Sequence, residues 1–395
     1  MIAERLRCRG FRNIEEADIS LSPGVNVFLG NNAEGKTNAL EAIYLMAAGK
    51  SFRTPREREM VRFGSPFFEV TLDMKDSRRE QEIVFRAYSQ EVAKRRECRK
   101  NGAPVARLAE LVGCFRAVLF CPEHLMLVKA GPAERRGFLD IALCQLSASY
   151  LAALSRHNKV LSERNALLKQ LQDGAGDSSL LDVYSDQLSL SASQIFVARR
   201  AYIKQLDRCV KRFFEELSDG GPSETPSLAY KNSLKTDAPI GEAEAYSLYL
   251  KALTSNTARE IAAGATLYGS HKDDIEITLD GREARLYASQ GQQRSLALAM
   301  KLGEGEISME YTGEHPVFLF DDVLSELDPT RQRFLLSRLG DRQVIMTACT
   351  PPPFARDVRY IYVEDGHYSD VPPGDMTVRR EPENENENGI GGGAT

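Results

Sequence analysis

The sequence predicts an α/β protein of two lobes, and three stretches predict it. The first is Gly30-Asn-Asn-Ala-Glu-Gly-Lys-Thr37, of the form G-x-x-x-x-G-K-[ST]. It follows the apolar run Val25-Asn-Val-Phe-Leu29 and precedes a helical pattern with Leu40, Ile43, Tyr44 and Ala47 on one face. Strand, glycine-rich turn and helix together make a phosphate-binding loop. The second stretch is Pro316-Val-Phe-Leu-Phe-Asp321-Asp322, an apolar strand ending in two carboxylates. The third is a pair of long helical patterns within residues 145–217. The first two should build a P-loop α/β lobe with an antiparallel β subdomain. The third should build a helical second lobe with a short antiparallel coiled-coil arm.

The 395 residues allow two or three cores, and 42% hydrophobic content fits a globular chain. The N-terminus has no apolar signal region and no apolar run reaches a membrane span, so a cytoplasmic protein is expected. Seven dispersed cysteines without a C-x-x-C pair read as reduced thiols. A net charge of −5 argues against a polycation that coats nucleic acid, yet allows a local basic patch.

Along the chain, residues 2–9 and 16–21 alternate as two strands of a hairpin around Gly10-Phe-Arg-Asn13. Arg12, at its tip, is either a solvated turn residue or lies over the bound nucleotide. In the loop, Gly30, Asn31, Asn32, Ala33, Glu34 and Gly35 turn their backbone toward a phosphate, and the helix from Lys36 through Asn38 aims its positive end there. Lys36 should reach the β- and γ-phosphates of ATP, and the Thr37 hydroxyl should ligate Mg²⁺. Residues 67–88 suggest two antiparallel strands. A basic cluster follows, Lys94, Arg95, Arg96, Arg99 and Lys100, ending at Asn101-Gly102, a hairpin signal. It is either a solvated edge or a contact to the DNA backbone.

Residues 115–120 give another buried strand, stopped by Cys121-Pro-Glu-His124. Arg135 and Arg136 then stand at a helix start, where the macrodipole favours acids, so each wants an acidic neighbour or a phosphate. In the arm, Leu154, Leu161 and Leu168 recur every seven residues, and Leu181, Tyr184, Leu188, Ile195 and Tyr202 keep 3/4 spacing. His157 sits on this seam as a packed polar residue. Residues 219–241 read as a loop, 241–263 as a returning helix and 275–279 as a strand. Beyond Asp370 the prolines, Glu-Asn repeats and glycines predict a disordered tail, 371–395.

The strand at 316–320, placed beside the phosphate loop, should deliver Asp321 to Mg²⁺ and leave Asp322 to polarise an attacking water. Ser325-Glu-Leu-Asp328 follows and starts a helix at Pro329. Ser289-Gln-Gly-Gln-Gln-Arg294 opens a helix over 295–303, with Ser289 a good N-cap residue, Gly291 exposing backbone N–H groups, and Ser289, Gly291 and Gln292 as candidate nucleotide contacts. A second anion-binding helix start on one chain suggests a sandwich, in which ATP on the loop of one subunit is capped by Ser289 of another. The expected lobes are 1–120 with 304–370, and 121–303.

Phosphate loop, S-x-G-Q-Q-R, apolar-Asp-Asp and Ser-Glu-Leu-Asp, in this order, resemble an ABC-type ATPase head of the SMC-like branch. More closely, Gly10-Phe-Arg-Asn13, Pro132-x-x-Arg-Arg-x-Phe-Leu-Asp140, His271-Lys-Asp-Asp274 and the motifs around Ser289 and Asp321 resemble the RecF family, from residue 2 to about 350. The resemblance implies a DNA-binding protein that favours duplex near single-strand gaps and forms an ATP-dependent homodimer. It also implies slow hydrolysis and work with RecR and RecO to load recombinase. In two places the chain departs from the pattern. Gly-Ser-His stands where Gly-Pro-His is expected before the paired aspartates, and Thr347-Ala-Cys-Thr350 stands where many ABC ATPases place a switch histidine. A chromosome-organising ATPase would need far longer arms. A transporter motor would carry Leu-Ser-Gly-Gly, and a metabolite kinase would explain neither the arm nor the Ser289 helix.

Overall fold

The computed structural model describes residues 1–89, 92, 95–217, 224–340, 342–352 and 358–372. The expected disordered tail falls almost wholly outside these residues, as does Lys94. The chain opens with the hairpin β1 (Ile2–Phe11) and β2 (Ile14–Ser20), then β3 (Val25–Leu29) and α1 (Lys36–Ala48). Next come β4 (Phe67–Lys75), β5 (Glu80–Tyr88), β6 (Arg96–Lys100), β7 (Ala103–Val105) and β8 (Ala117–Phe120). The helical lobe holds α2 (Pro122–Leu125), α3 (Pro132–Leu146), α4 (Ala148–Gln172) and α5 (Leu180–Leu217), followed by β9 (Pro226–Lys231), α6 (Glu242–Ser255) and α7 (Thr257–Ala263). The chain returns through β10 (Asp274–Leu279), β11 (Arg282–Glu283), α8 (Ala284–Tyr287) and α9 (Gln290–Thr312). It ends in β12 (Val317–Phe320), α10 (Pro329–Leu339), β13 (Val344–Ala348), β14 (Val358–Glu364) and β15 (His367–Ser369).

A six-stranded sheet in the order β15-β14-β3-β13-β12-β8, parallel except at the β15 edge, forms the centre. Both its faces are covered, which is why β12 is a continuous apolar run and β3 is apolar except for Asn26, whose buried amide donates to the Ser22 and Gly24 carbonyls. Val25, Val27, Phe318 and Phe320 face a core shared with α3, α5 and α9. Phe28, Val317 and Leu319 face a second core under α1 and the antiparallel sheet β2-β1-β4-β5-β6-β7.

The strand carrying Asp321 ends beside the phosphate loop, although β13 lies between it and β3. The structure corrects the sequence expectations in three places. The stretch 219–241 is not all loop, since its Leu228 is buried and β9 pairs with β10. Pro226 is tolerated there because it is the first residue of an edge strand. The helix expected over 241–263 breaks at Asn256 into α6 and α7. The helix expected over 295–303 runs on to Thr312, across the lobe boundary placed at 303/304. Gly303 and Gly305 disguise its length, and both serve close packing. A Cβ on Gly305 would sit 2.5 Å from the Phe318 ring, and one on Gly303 2.9 Å from Leu206.

The two arm helices pack antiparallel, and α5, with 38 residues, spans about 57 Å. The arm does not stand alone, because α6 packs on α5 and α7 on α4. Arg164 and Glu260, both fully buried, pair at 2.6 Å between α4 and α7. Thr266 and Ser185 accept the remaining Arg164 protons. Arg135 and Arg136 find acidic-loop partners: Arg135 chelates Asp274 at 2.7 and 2.6 Å, and Arg136 donates to the Asp273 carbonyl. Arg199 closes this network on Asp140, the Tyr150 hydroxyl and the Ser270 carbonyl.

A lone charge left in the arm should cost more than the pair contributes. Arg164→Met or Glu260→Leu alone is expected to destabilise by about 3–5 kcal/mol, and the double variant to recover most of the loss. Chemical denaturation of the three variants checks this.

Candidate functional site

The loop 30–35 is clamped before any ligand enters. A Cβ on Gly30 would lie 2.3 Å from the Val363 carbonyl of β14, and one on Gly35, at φ 113°, 2.9 Å from the Asn13 amide. The turn between β14 and β15 holds the loop from outside. Gly366 N donates to the Glu34 carbonyl at 2.8 Å, Asp365 N to its carboxylate at 2.5 Å, and the Tyr368 hydroxyl to the Gly35 carbonyl at 2.9 Å. Asn38 donates to Asn13 at 2.6 Å, tying α1 to the first hairpin, and Ala33 turns the loop at φ 70°.

Lys36 is buried with its ammonium folded into this cradle. It donates to the carbonyls of Gly30 and Asn31 and reaches Cys349 Sγ at 3.2 Å, while that thiol donates to Asn32 at 3.0 Å. Among the described residues no carboxylate pairs with it. A buried cation balanced only by partial charges is a receptor for an anion.

Thr37 Oγ1 donates to Asp321 Oδ1 at 2.7 Å. Thr347, at the end of the intervening β13, donates to the same oxygen at 3.0 Å and accepts from Asp322 N at 2.9 Å. One hydroxyl therefore sets both aspartates. Burial raises the pKa of Asp321, and the hydrogen bonds from Thr37 and Thr347 act the other way. Asp322, at φ 51°, turns its carboxylate outward, where Ser325 donates to it at 3.2 Å. No cluster of three or more His, Cys, Asp or Glu able to hold an ion occurs among the described residues. Thr37 and Asp321 offer two hard oxygens, which suits Mg²⁺ sharing its shell with phosphates and water.

Other predicted residues lie differently. Arg12 is committed to Glu41 on α1, at 3.0 and 2.6 Å, and to the Glu59 carbonyl, so it is neither solvated nor extended over the loop. Ser289 caps α9 reciprocally with Gln292, at 2.6 and 3.2 Å, and stands exposed. Gly291 receives Arg331 on its carbonyl, and Gln292 donates to Glu224. No hydrogen bond joins this helix start to residues 30–38 among the described residues. In the basic cluster, Arg96 pairs with Glu57 at 2.7 Å, Arg99 lies 3.7 Å from Glu97 and Lys100 donates to Cys114. Arg95 is exposed.

A phosphate loop on a parallel strand, an acidic strand two places away and a helical lobe ending in a serine-capped helix define an ABC-type ATPase head. The family model described as RecF/RecN/SMC N terminal domain matches residues 2–365. The DNA replication and repair protein RecF of Acetivibrio thermocellus is 36% identical over 370 residues, covering 93% of this chain and 99% of that one. That of Lactobacillus johnsonii is 39% identical over 352 residues, covering 88% and 92%. A solved structure of the recombination mediator protein RecF-ATPrS in the RecFOR pathway superposes with a TM-score of 0.87 at 32% identity, covering 93% of this chain and 97% of that one. The RecF-ATP structure gives 0.86 at 32% identity, covering 93% and 96%. An SMC head at 16% identity and a TM-score of 0.51 shares the fold. The chain belongs to the RecF family of DNA replication and repair proteins.

Sequence reading missed Thr347, Cys349, Asn13 and Tyr368 as supports of the loop. Asn13 stood in a marked motif and Thr347 and Cys349 in the stretch that replaces the switch histidine, but neither stretch announced a contact to the loop or to Asp321.

The raised pKa of Asp321 has a consequence for stability. The folded chain binds this proton more tightly than the unfolded chain, so proton uptake adds stability below the unfolded value of about 3.9. That stability is lost as pH rises through the higher folded value. Without metal or nucleotide, Asp321→Asn should therefore melt above the parent at about pH 7, and the gap should close in acid. Thermal scans across pH test this, and a gap that widens in acid would contradict it.

Proposed function

We propose that the chain is an ATP-switched DNA-binding protein that dimerises on duplex DNA near single-strand gaps and helps load recombinase there. One observation carries the reading: two halves of a site lie on one chain without meeting. Among the described residues the loop holds Lys36 without a carboxylate partner, and Ser289 presents an exposed helix start elsewhere. A second copy brings them together.

In this reading Lys36 leaves the Gly30 and Asn31 carbonyls to hold phosphate oxygens, and residues 31–35 and Asn38 line the nucleotide. Thr37 and Asp321 share the metal, while Arg12 braces α1 through Glu41. Asp322, held by the Thr347 hydroxyl, takes a proton from water. Magnesium-bound ATP supplies the charge that draws two copies together and the anhydride bond whose cleavage lets them part. Ser289, Gly291 and Gln292 of the second copy close the site. Cys349 lacks the imidazole that would accept a proton near neutral pH, which suits a slow, DNA-stimulated switch. The lobe of residues 1–120 and 304–370 then carries the nucleotide, and the lobe of 121–303 carries the arm and the closing helix. The basic cluster of Lys94, Arg95, Arg96, Arg99 and Lys100 contacts the DNA backbone. RecR and RecO are the expected partners on the nucleoid in the cytoplasm.

The shared site is tested by mixing. Ser289→Arg should still bind ATP as a monomer yet lose ATP-dependent dimerisation and hydrolysis together. Mixed with Lys36→Met, it should regain part of the activity, because one composite site of the heterodimer is intact. Sedimentation and ATPase assays decide, and a Ser289→Arg chain that dimerises normally with ATP rules the shared site out.

A further inference from the structure

Residues 55–66, between α1 and β4, have no part in the site above. Their backbone is fixed at several points. Arg12 N donates to the Met60 carbonyl and Arg62 N to the Gly10 carbonyl, each at 2.8 Å, and Ser65 N turns back to Arg62 at 2.9 Å. Met60 is buried as an anchor. This held turn displays Phe63 with a relative exposure of 103%, the highest among the described large hydrophobic residues. An aromatic ring kept wholly in water by a well-bonded turn is not a packing residue.

Beside it lies a concavity of about 970 Å³ lined by Arg56, Arg58, Arg62 and Arg95 as well as Phe63. Its two carboxylates are already engaged, Glu57 by Arg96 at 2.7 Å and Glu59 by Arg56 at 3.2 Å. Arg62 is shared with Glu15 at 3.1 Å. Arg58 and Arg95 are exposed, and neither has an acidic partner among the described residues. The surface therefore combines uncompensated guanidinium groups with one bare aromatic face.

We infer that this surface receives unpaired nucleotides, with a base stacked on Phe63 and neighbouring phosphates on Arg58 and Arg95. Duplex DNA hides its base faces in its own stack, so it would satisfy the arginines and leave Phe63 in water. A single strand satisfies both. The surface hangs from Arg12, which donates to the Glu59 carbonyl at 3.0 Å and chelates Glu41 on α1. Unpaired nucleotides there would lie one side chain, Arg12, away from the helix that carries Thr37. The inference rests on the DNA-binding reading above and assigns the unpaired part of the DNA to a surface that adjoins the basic cluster and shares Arg95 with it.

The chain contains no tryptophan, so Phe63→Trp places a single reporter at the surface. Its fluorescence should be quenched by oligo-dT and not by blunt duplex, with duplex binding followed in parallel by anisotropy of a labelled strand. Phe63→Ala should weaken oligo-dT binding about tenfold or more and leave blunt-duplex binding unchanged. Arg58→Ala with Arg95→Ala should lower the oligo-dT salt slope by about 1.4, at roughly 0.7 per lost phosphate contact. Oligo-dT that binds without quenching, or loses nothing in Phe63→Ala, overturns the inference while duplex binding preserves the broader reading. Quenching by polyglutamate and not by oligo-dT overturns it in favour of an acidic protein. Failure of both DNAs to bind overturns the inference and the broader reading together.

Discussion

The hydrogen bond from Thr37 to Asp321 is the contact on which the rest of the structure depends. It joins residues 284 positions apart and exists only because β13 lies between β3 and β12 and brings their C-terminal ends to one edge. That edge is where α/β sheets present ligand sites. The intervening strand adds Thr347, whose single hydroxyl meets Asp321 and the Asp322 backbone at once. A change at the Asp321 oxygen is thus one atom away from the backbone that aims Asp322. Burial sharpens the arrangement, because a carboxylate disfavoured as an anion gains more from a metal or a proton than an exposed one.

Around this contact the packing leaves little freedom. Gly30 touches β14, Gly35 touches Asn13, and the β14–β15 turn bonds the loop's outer side. The cradle is shaped in advance, and Lys36 rests in it on carbonyl dipoles, which is why we propose that a nucleotide alters charge there more than shape. On the other side of the sheet, Arg135, Arg136 and Arg199 lock α3 and α5 to the segment 270–274. In the sequence Arg135 and Arg136 ask for an acid or a phosphate, and the structure supplies the Asp274 carboxylate and the Asp273 carbonyl of the same chain.

What was legible in the sequence was local. The phosphate loop showed because strand, turn and helix are contiguous, and Asp321-Asp322 showed because a doubly buried strand is a continuous apolar run. The serine start of α9 was visible, but its length was hidden by Gly303 and Gly305, which look like helix breakers and are packing contacts. β9 was hidden by Pro226, whereas the hairpin of β14 and β15 was passed over although Asp365-Gly366 marks its turn. Pairings across the chain were out of reach. Nothing near Arg12 in sequence announces Glu41, and nothing near Thr347 announces the two aspartates.

The central claim is that the loop, Thr37 and Asp321 form one nucleotide and metal site whose internal contacts stand in for the ligand. The most direct measurement is a structure of this chain with magnesium and a slowly hydrolysed ATP analogue. The account predicts Lys36 released from the Gly30 and Asn31 carbonyls onto phosphate oxygens, with Thr37 and Asp321 on a common ion. A nucleotide bound elsewhere, or Lys36 still folded onto its own loop beside a bound nucleotide, would contradict it.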